Sequence, residues 1–194
     1  MPYCRDIIMT TATKKRVTLY DKTFEVMIPF EELDQHIEKI AERINRDYSN
    51  TPQPPIVLAV LNGSFMFMGD LMKKIEFNCE VQFIKVASYD GGQSTGKVRE
   101  LIGLSGSLEG RDVIVVEDIV ETGNSIAHMI PLLQAKGVAS VAVATMFFKP
   151  ELYKKEFEIK YPAMVIGNDF IVGYGLDYDQ LGRNLKDIYV IVNE

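Results

Sequence analysis

The stretch richest in chemistry is Glu117-Asp118-Ile119-Val120-Glu121-Thr122-Gly123-Asn124-Ser125. Thr122, Gly123, Asn124 and Ser125 offer backbone donors, hydroxyls and a glycine that permits close approach, where an apolar strand gives way to a helical pattern. A turn of this kind at a helix N-terminus attracts anions, because unpaired N–H groups and the helix dipole both favour negative charge, and a phosphate monoester suits it. Glu117, Asp118 and Glu121 beside that pocket would repel a bare phosphate. A ribose between them removes the conflict, since ionised carboxylates are strong acceptors for a vicinal diol. The string predicts a sugar-phosphate site, against the plainer reading of an acidic strand end followed by a helix cap.

Such a turn must be held by a strand before it and a helix after it. Val113-Ile114-Val115-Val116, within a strand expected over Asp112 to Glu117, and Asn124 to Lys136, expected to be helical, supply them. Pro131 falls inside that helix, where it removes a backbone donor, and Gly137 follows it as a C-terminal glycine should. The same unit occurs earlier. Ile56 to Leu61 is a continuous apolar run of strand length, Asn62-Gly63 a turn, and Ser64 to Ile75 a helical stripe with Ser64 placed to cap it. Before it, Leu33, Ile37, Ile40, Ala41 and Ile44 form one apolar face of a helix over Glu31 to Asp47. Val81 to Tyr89 and Val138 to Phe148 are further strands, and Phe170 to Tyr174 and Ile188 to Val192 are short ones near the C-terminus. Strands alternating with helices predict an α/β fold with a parallel, doubly wound sheet, and ligands then sit at the carboxyl ends of the strands.

Composition narrows the function. The chain has 194 residues, 47% hydrophobic and 25% charged, which is an ordinary globular balance and excludes disorder, collagen and coiled coil. Its formal charge of -6 is the wrong sign for gripping nucleic-acid phosphates, so nucleic acid is not expected as a partner. Cys4, Cys79, His36 and His128 have no metal-site spacing. Nothing in Met1 to Thr10 has the pattern of an export signal, so a cytoplasmic location is expected. Ser49 to Gly69 is uncharged, but Pro52, Pro54, Pro55, Asn62 and Gly63 interrupt it, so no membrane span is expected.

On four motifs taken in order the sequence resembles the type I phosphoribosyltransferases, and among them the bacterial hypoxanthine-guanine enzymes. The acidic string resembles the family's binding motif for phosphoribosyl pyrophosphate, and Leu61 to Leu71 its pyrophosphate loop and following helix. Ser88-Tyr89 with Gly91 to Gly96 resembles the mobile lid, and Val172 to Tyr178 with Arg183 the C-terminal motif. The resemblance implies one domain over 1–194: a central, mostly parallel sheet flanked by helices at about 30–150, and a small hood from about 1–29 and 151–194. It also implies a homodimer or homotetramer, with the Asn62-Gly63 region near the interface.

The activity implied is reversible transfer of a 5-phosphoribosyl group from phosphoribosyl pyrophosphate to a 6-oxopurine base, with Mg²⁺ present. By that resemblance Glu117 and Asp118 hold the ribose hydroxyls, and Thr122, Gly123, Asn124 and Ser125 the 5-phosphate. Asn62, Gly63 and Arg183 meet the pyrophosphate, and Asp177, Glu117 and Asp118 are the metal-side carboxylates. Lys149 donates to the exocyclic oxygen, Phe170 stacks on the purine with Ile171, Val172 and Asp177 around it, and Glu121 assists proton removal. By residue type alone, Phe170 is a core aromatic and Lys149 a strand-end lysine reaching for water. Two positions depart from the family pattern: Glu121 stands where an aspartate is usual, and Asn62 where a lysine or arginine is common. A xanthine-preferring enzyme and a non-catalytic nucleotide sensor on the same fold remain as alternatives.

Overall fold

The computed structural model describes residues 15–87, 99–102 and 104–192. In chain order its elements are β1 (Arg16–Leu19), β2 (Lys22–Ile28), α1 (Phe30–Tyr48), β3 (Ile56–Val60), α2 (Phe65–Met72), β4 (Glu80–Ala87) and β5 (Arg99–Ile102). They continue with β6 (Asp112–Val120), α3 (Asn124–Gln134), β7 (Ser140–Phe148), β8 (Tyr161–Val165), β9 (Ile171–Val172) and β10 (Ile188–Ile191). The proposed lid, Ser88, Tyr89 and Gly91 to Gly96, lies outside the described residues.

The main sheet has the order β5-β4-β3-β6-β7-β8. β4, β3, β6, β7 and β8 are parallel, and only β5 runs against them at the edge. Period-two alternation explains why both faces are covered. Val57, Ala59, Ile114, Val116, Ala142 and Ala144 point to one face and join Leu33, Ile37, Ile44, Phe67 and Leu71 of α1 and α2. Ile56, Leu58, Val113, Val115 and Val143 point to the other and join Ile126, Met129, Ile130 and Leu133 of α3. This two-faced burial is why β3 is apolar at every position, as a strand buried on both sides must be.

A second sheet, ordered β1-β2-β10-β9, joins segments from both ends of the chain around Leu19, Phe24, Val172 and Tyr189. It is tied to α1 by an acceptor from far along the sequence. Pro29 precedes the helix without a side-chain cap, and Asp187 Oδ1 accepts the Phe30 N–H at 3.0 Å instead.

Three expectations need correction. Ser64 stands before α2 but makes no capping bond; its hydroxyl donates to the Val60 carbonyl at 2.5 Å, closing the turn between β3 and α2. The strand expected to stop at Glu117 runs on to Val120, because Ile119 and Val120 pair with Phe147 and Phe148 of β7. β8 belongs to the main sheet beside β7 and not to the hood, so among the described residues the second sheet draws on 16–28 and 171–191.

Candidate active site

Parallel pairing brings the carboxyl ends of β3, β4, β6 and β7 to one edge of the sheet, and their following turns carry the functional residues. Val120 lies opposite Phe148, and the Lys149 N–H donates to the Val120 carbonyl at 3.0 Å. The residues after both strands, Glu121 and Lys149, are thereby side by side although 28 positions apart.

Within β6, Glu117 is buried and Asp118 partly exposed. Burial pushes the Glu117 carboxyl well above the usual range, and the neighbouring Asp118 charge pushes the same way. Burial raises Asp118 to about 6, against the Ile119 N–H, which donates to its Oδ1 at 2.8 Å, and the Arg183 charge; Asp177 adds to the rise. Two crowded, desolvated carboxylates gain from any ligand that brings hydroxyl donors or positive charge.

The turn beyond Glu121 is shaped by Gly123, whose φ of 75° is left-handed. A Cβ there would lie 2.4 Å from Cε2 of Tyr153 and 2.9 Å from Cγ of Lys155. Gly123 precedes α3 with no side-chain cap, so the first N–H groups of the helix are free of such a partner, with Thr122, Asn124 and Ser125 exposed around them. Such a helix N-terminus has the donors to receive an anion.

Opposite it, the turn after β3 is pressed between two other segments. A Cβ on Gly63 would lie 1.4 Å from Asp118 Oδ2, and a Cβ on Gly175 would lie 1.9 Å from the Gly63 carbonyl oxygen. Only glycines allow the backbone at 63 to fit between the β6 acid and the C-terminal motif. Tyr174 holds that motif down: its ring is buried, and its hydroxyl donates to Asp70 Oδ2 of α2 at 2.6 Å. Arg183 completes the motif, donating to the Gly175 carbonyl at 2.8 Å and pairing with Asp177 Oδ1 at 2.6 Å. The second oxygen of Asp177 accepts the Gln180 N–H at 2.8 Å.

Lys149 is buried, yet its ammonium has two partners, Glu121 Oε1 at 2.5 Å and the Asp169 carbonyl at 3.0 Å. Phe170 follows Asp169 and is 45% exposed, so it is not the core aromatic its strand-like setting suggests. Its ring meets Tyr178 at 6.0 Å, close to perpendicular, and Phe24 at 6.3 Å, and the Lys22 ammonium lies over it at 5.9 Å from the centroid, so Phe170 is a half-exposed aromatic at the rim of this cluster. The side chains of Ile171 and Val172 are both buried, Ile171 in the main core and Val172 in the hood core, so a part for them in a purine site would fall to their main chain.

Two contacts have no signature in the sequence. The Tyr174–Asp70 hydrogen bond joins residues 104 positions apart. Lys85, near the end of β4, donates to Asn62 Oδ1 at 3.1 Å, a contact set by β4 lying beside β3. Among the described residues, no three His, Cys, Asp or Glu side chains converge as a metal cage, so the carboxylates here are single groups and one adjacent pair.

Comparison with known proteins agrees with this arrangement. The phosphoribosyl transferase domain family matches residues 29–179. A hypoxanthine-guanine phosphoribosyltransferase of Staphylococcus epidermidis is 40% identical over 164 residues, covering 84% of this chain and 90% of that protein. The protein of the same name from Staphylococcus aureus is 38% identical over 165 residues, 84% of this chain and 91% of the other. A crystal structure of a hypoxanthine phosphoribosyltransferase from Staphylococcus aureus matches with a TM-score of 0.80 at 37% identity, covering 87% of this chain and 91% of that one. Sequence, fold and the strand-end acid and phosphate turn thus lead to one conclusion: the chain belongs to the phosphoribosyltransferase family, among the hypoxanthine-guanine phosphoribosyltransferases.

Proposed function

We propose that this chain transfers the 5-phosphoribosyl group of phosphoribosyl pyrophosphate to hypoxanthine or guanine, forming inosine or guanosine monophosphate and releasing pyrophosphate. The observation that carries the reading is the convergence, at one sheet edge, of the desolvated pair Glu117 and Asp118, the uncapped turn at Gly123 and the Lys149–Glu121 pair. The turn receives the 5-phosphate, the acid pair takes the ribose diol, and Lys149 meets the 6-oxo group. An ammonium has donors only, so the 6-amino group of adenine would set donor against donor.

In the reaction the bond from the anomeric carbon to pyrophosphate breaks, the bond to the purine nitrogen forms, and the base loses a proton. Glu121 accepts that proton once the incoming carbonyl has taken its place on Lys149. The anomeric carbon passes through an oxocarbenium-like state, so the protein's work is to align the two reactants and stabilise the departing anion. Asn62, the main chain at Gly63 and the Arg183 guanidinium are the groups for the second task.

Mg²⁺ suits this donor set: it is usually held by one or two carboxylates together with substrate phosphate oxygens, and Asp177, Glu117 and Asp118 are carboxylates of that kind. When bound, the ion neutralises the pyrophosphate as it leaves. No helix among the described residues is long and apolar enough to cross a membrane, and we place the enzyme in the cytoplasm. We also take it to be a homodimer or homotetramer; Phe65, Val81 and Phe83, exposed on α2 and β4 beside the Asn62 turn, support an interface there.

Incubation with phosphoribosyl pyrophosphate, Mg²⁺ and hypoxanthine tests the reading. Nucleotide and pyrophosphate should form in equal amounts. Donor binding without nucleotide from any base would favour the sensor alternative.

A further inference from the structure

We propose that Lys85 supplies the pyrophosphate loop with the positive charge that the loop itself lacks, working through Asn62. The proposal rests on the function proposed above for the turn after β3. Asn62 is neutral, and a leaving group as highly charged as pyrophosphate gains most from cationic donors.

β4 brings a cation to this turn from the neighbouring strand. β3 and β4 are parallel with Val60 opposite Ile84, and the Leu61 N–H donates to the Ile84 carbonyl at 2.8 Å. The next residue of β4 is Lys85, so its side chain starts beside the turn. Gln82 and Ile84 are buried, whereas Val81, Phe83 and Lys85 face the other way and are at least partly exposed. From that face the Lys85 ammonium donates to Asn62 Oδ1 at 3.1 Å.

This contact fixes the amide. With its oxygen held by an ammonium, the Asn62 side chain turns its NH₂ away, and that group has donors only. Lys85 in turn spends one of its three N–H donors on Asn62, and among the described residues no carboxylate pairs with it. Lys15, Lys73, Lys149, Lys160 and Lys186 each pair with one carboxylate, and Lys74 with two. Asn62 and Lys85 together therefore present amide and ammonium donors at the mouth of the loop, with the charge on β4 and not on the loop.

The test measures constants for phosphoribosyl pyrophosphate and hypoxanthine in the forward direction, and for pyrophosphate in the reverse. Lys85→Met should raise KM for both donor and pyrophosphate by roughly tenfold or more, the usual loss for a charge-assisted hydrogen bond, with KM for hypoxanthine unchanged. Lys85→Arg should keep most of the affinity. Asn62→Lys in the Lys85→Met background should restore it, because the charge returns by the other route. If Lys85→Met melts early, Lys85→Gln removes the charge while keeping a donor, and the same rise is expected. Unchanged donor and pyrophosphate constants in a variant of Lys85, beside an active wild-type protein, would overturn the role of Lys85 alone. A wild-type protein that makes no nucleotide would overturn the functional reading and this proposal with it.

Discussion

Lys149 and Glu121 form a direct ion pair at 2.5 Å in which the lysine side chain is 4% exposed and the carboxylate 46%. The buried ammonium has replaced water with one carboxylate and the Asp169 carbonyl, and the carboxylate it holds sits on the solvent side. In the proposed reaction a base carbonyl that took over the lysine would also release Glu121, so recognition of the 6-oxo group and freeing of the proton acceptor would be one event.

Lys149→Met should therefore impair 6-oxopurine use far more than donor binding. The expected result is a rise in KM for hypoxanthine of roughly tenfold to a hundredfold, the range for losing a hydrogen bond to a charged group, with donor affinity retained by calorimetry. Equal losses for both substrates would remove Lys149 from the base site.

Glu121→Gln keeps the shape but cannot accept a proton. Loss of kcat of about 10²- to 10⁴-fold is expected, as for a general base, with donor affinity persisting. An unimpaired variant would exclude the proton-accepting role.

The acid pair gives a pH dependence. Because burial raises Asp118 to about 6 and Glu117 in the same direction, the folded protein holds these protons more tightly than the unfolded chain. The contribution of Asp118 to stability is thus full below the ordinary carboxylate range and is lost as pH rises through about 6, and that of Glu117 is likewise lost with rising pH. A ribose diol donates to the ionised form, so donor binding should strengthen as pH rises through the same window and release protons below it. Calorimetry in buffers of different ionisation enthalpy measures this, and Asp118→Asn should flatten the profile. An affinity that is flat in the wild type would contradict the ribose assignment.

The contact between Gly63 and Gly175 is the steric keystone of the site. Gly175→Ala places a methyl 1.9 Å from the Gly63 carbonyl oxygen at a φ of 98°, so the C-terminal motif must move off the turn. Donor affinity and kcat should both fall sharply. Gly69→Ala on α2 meets nothing within 4 Å and should leave both intact. Kinetic constants of the two variants side by side check the contrast, and equal behaviour would show that the close approach is dispensable.

How much of this was legible in the sequence depends on the range of the contacts. β3 and β6 announce themselves as continuous apolar runs, α1 by its helical spacing of apolar residues, and the turn after β6 because its acids, glycine and hydroxyls are consecutive. The hairpin β1–β2 is faint: its buried side chains are only Leu19, Phe24 and Ile28, and the rest mixes Arg16, Thr18, Lys22, Thr23 and Glu25 with the partly or fully exposed Val17, Val26 and Met27. β8 is hidden by Pro162, tolerable there because β8 is the edge strand of the sheet. Pairs such as Tyr174–Asp70, Lys85–Asn62 and Lys149–Glu121 depend on which strands are neighbours, and no spacing rule states that. For the same reason Ile171 and Val172 resemble site residues in sequence while their side chains fill cores on either side of β9.

The most direct test of the central claim is a product assay on the purified protein with phosphoribosyl pyrophosphate and Mg²⁺, offering hypoxanthine, guanine, xanthine and adenine in separate reactions. The account predicts inosine or guanosine monophosphate, with pyrophosphate released in equal amount and adenine inert. Nucleotide formed from adenine as readily as from hypoxanthine, or from no base at all, would contradict it.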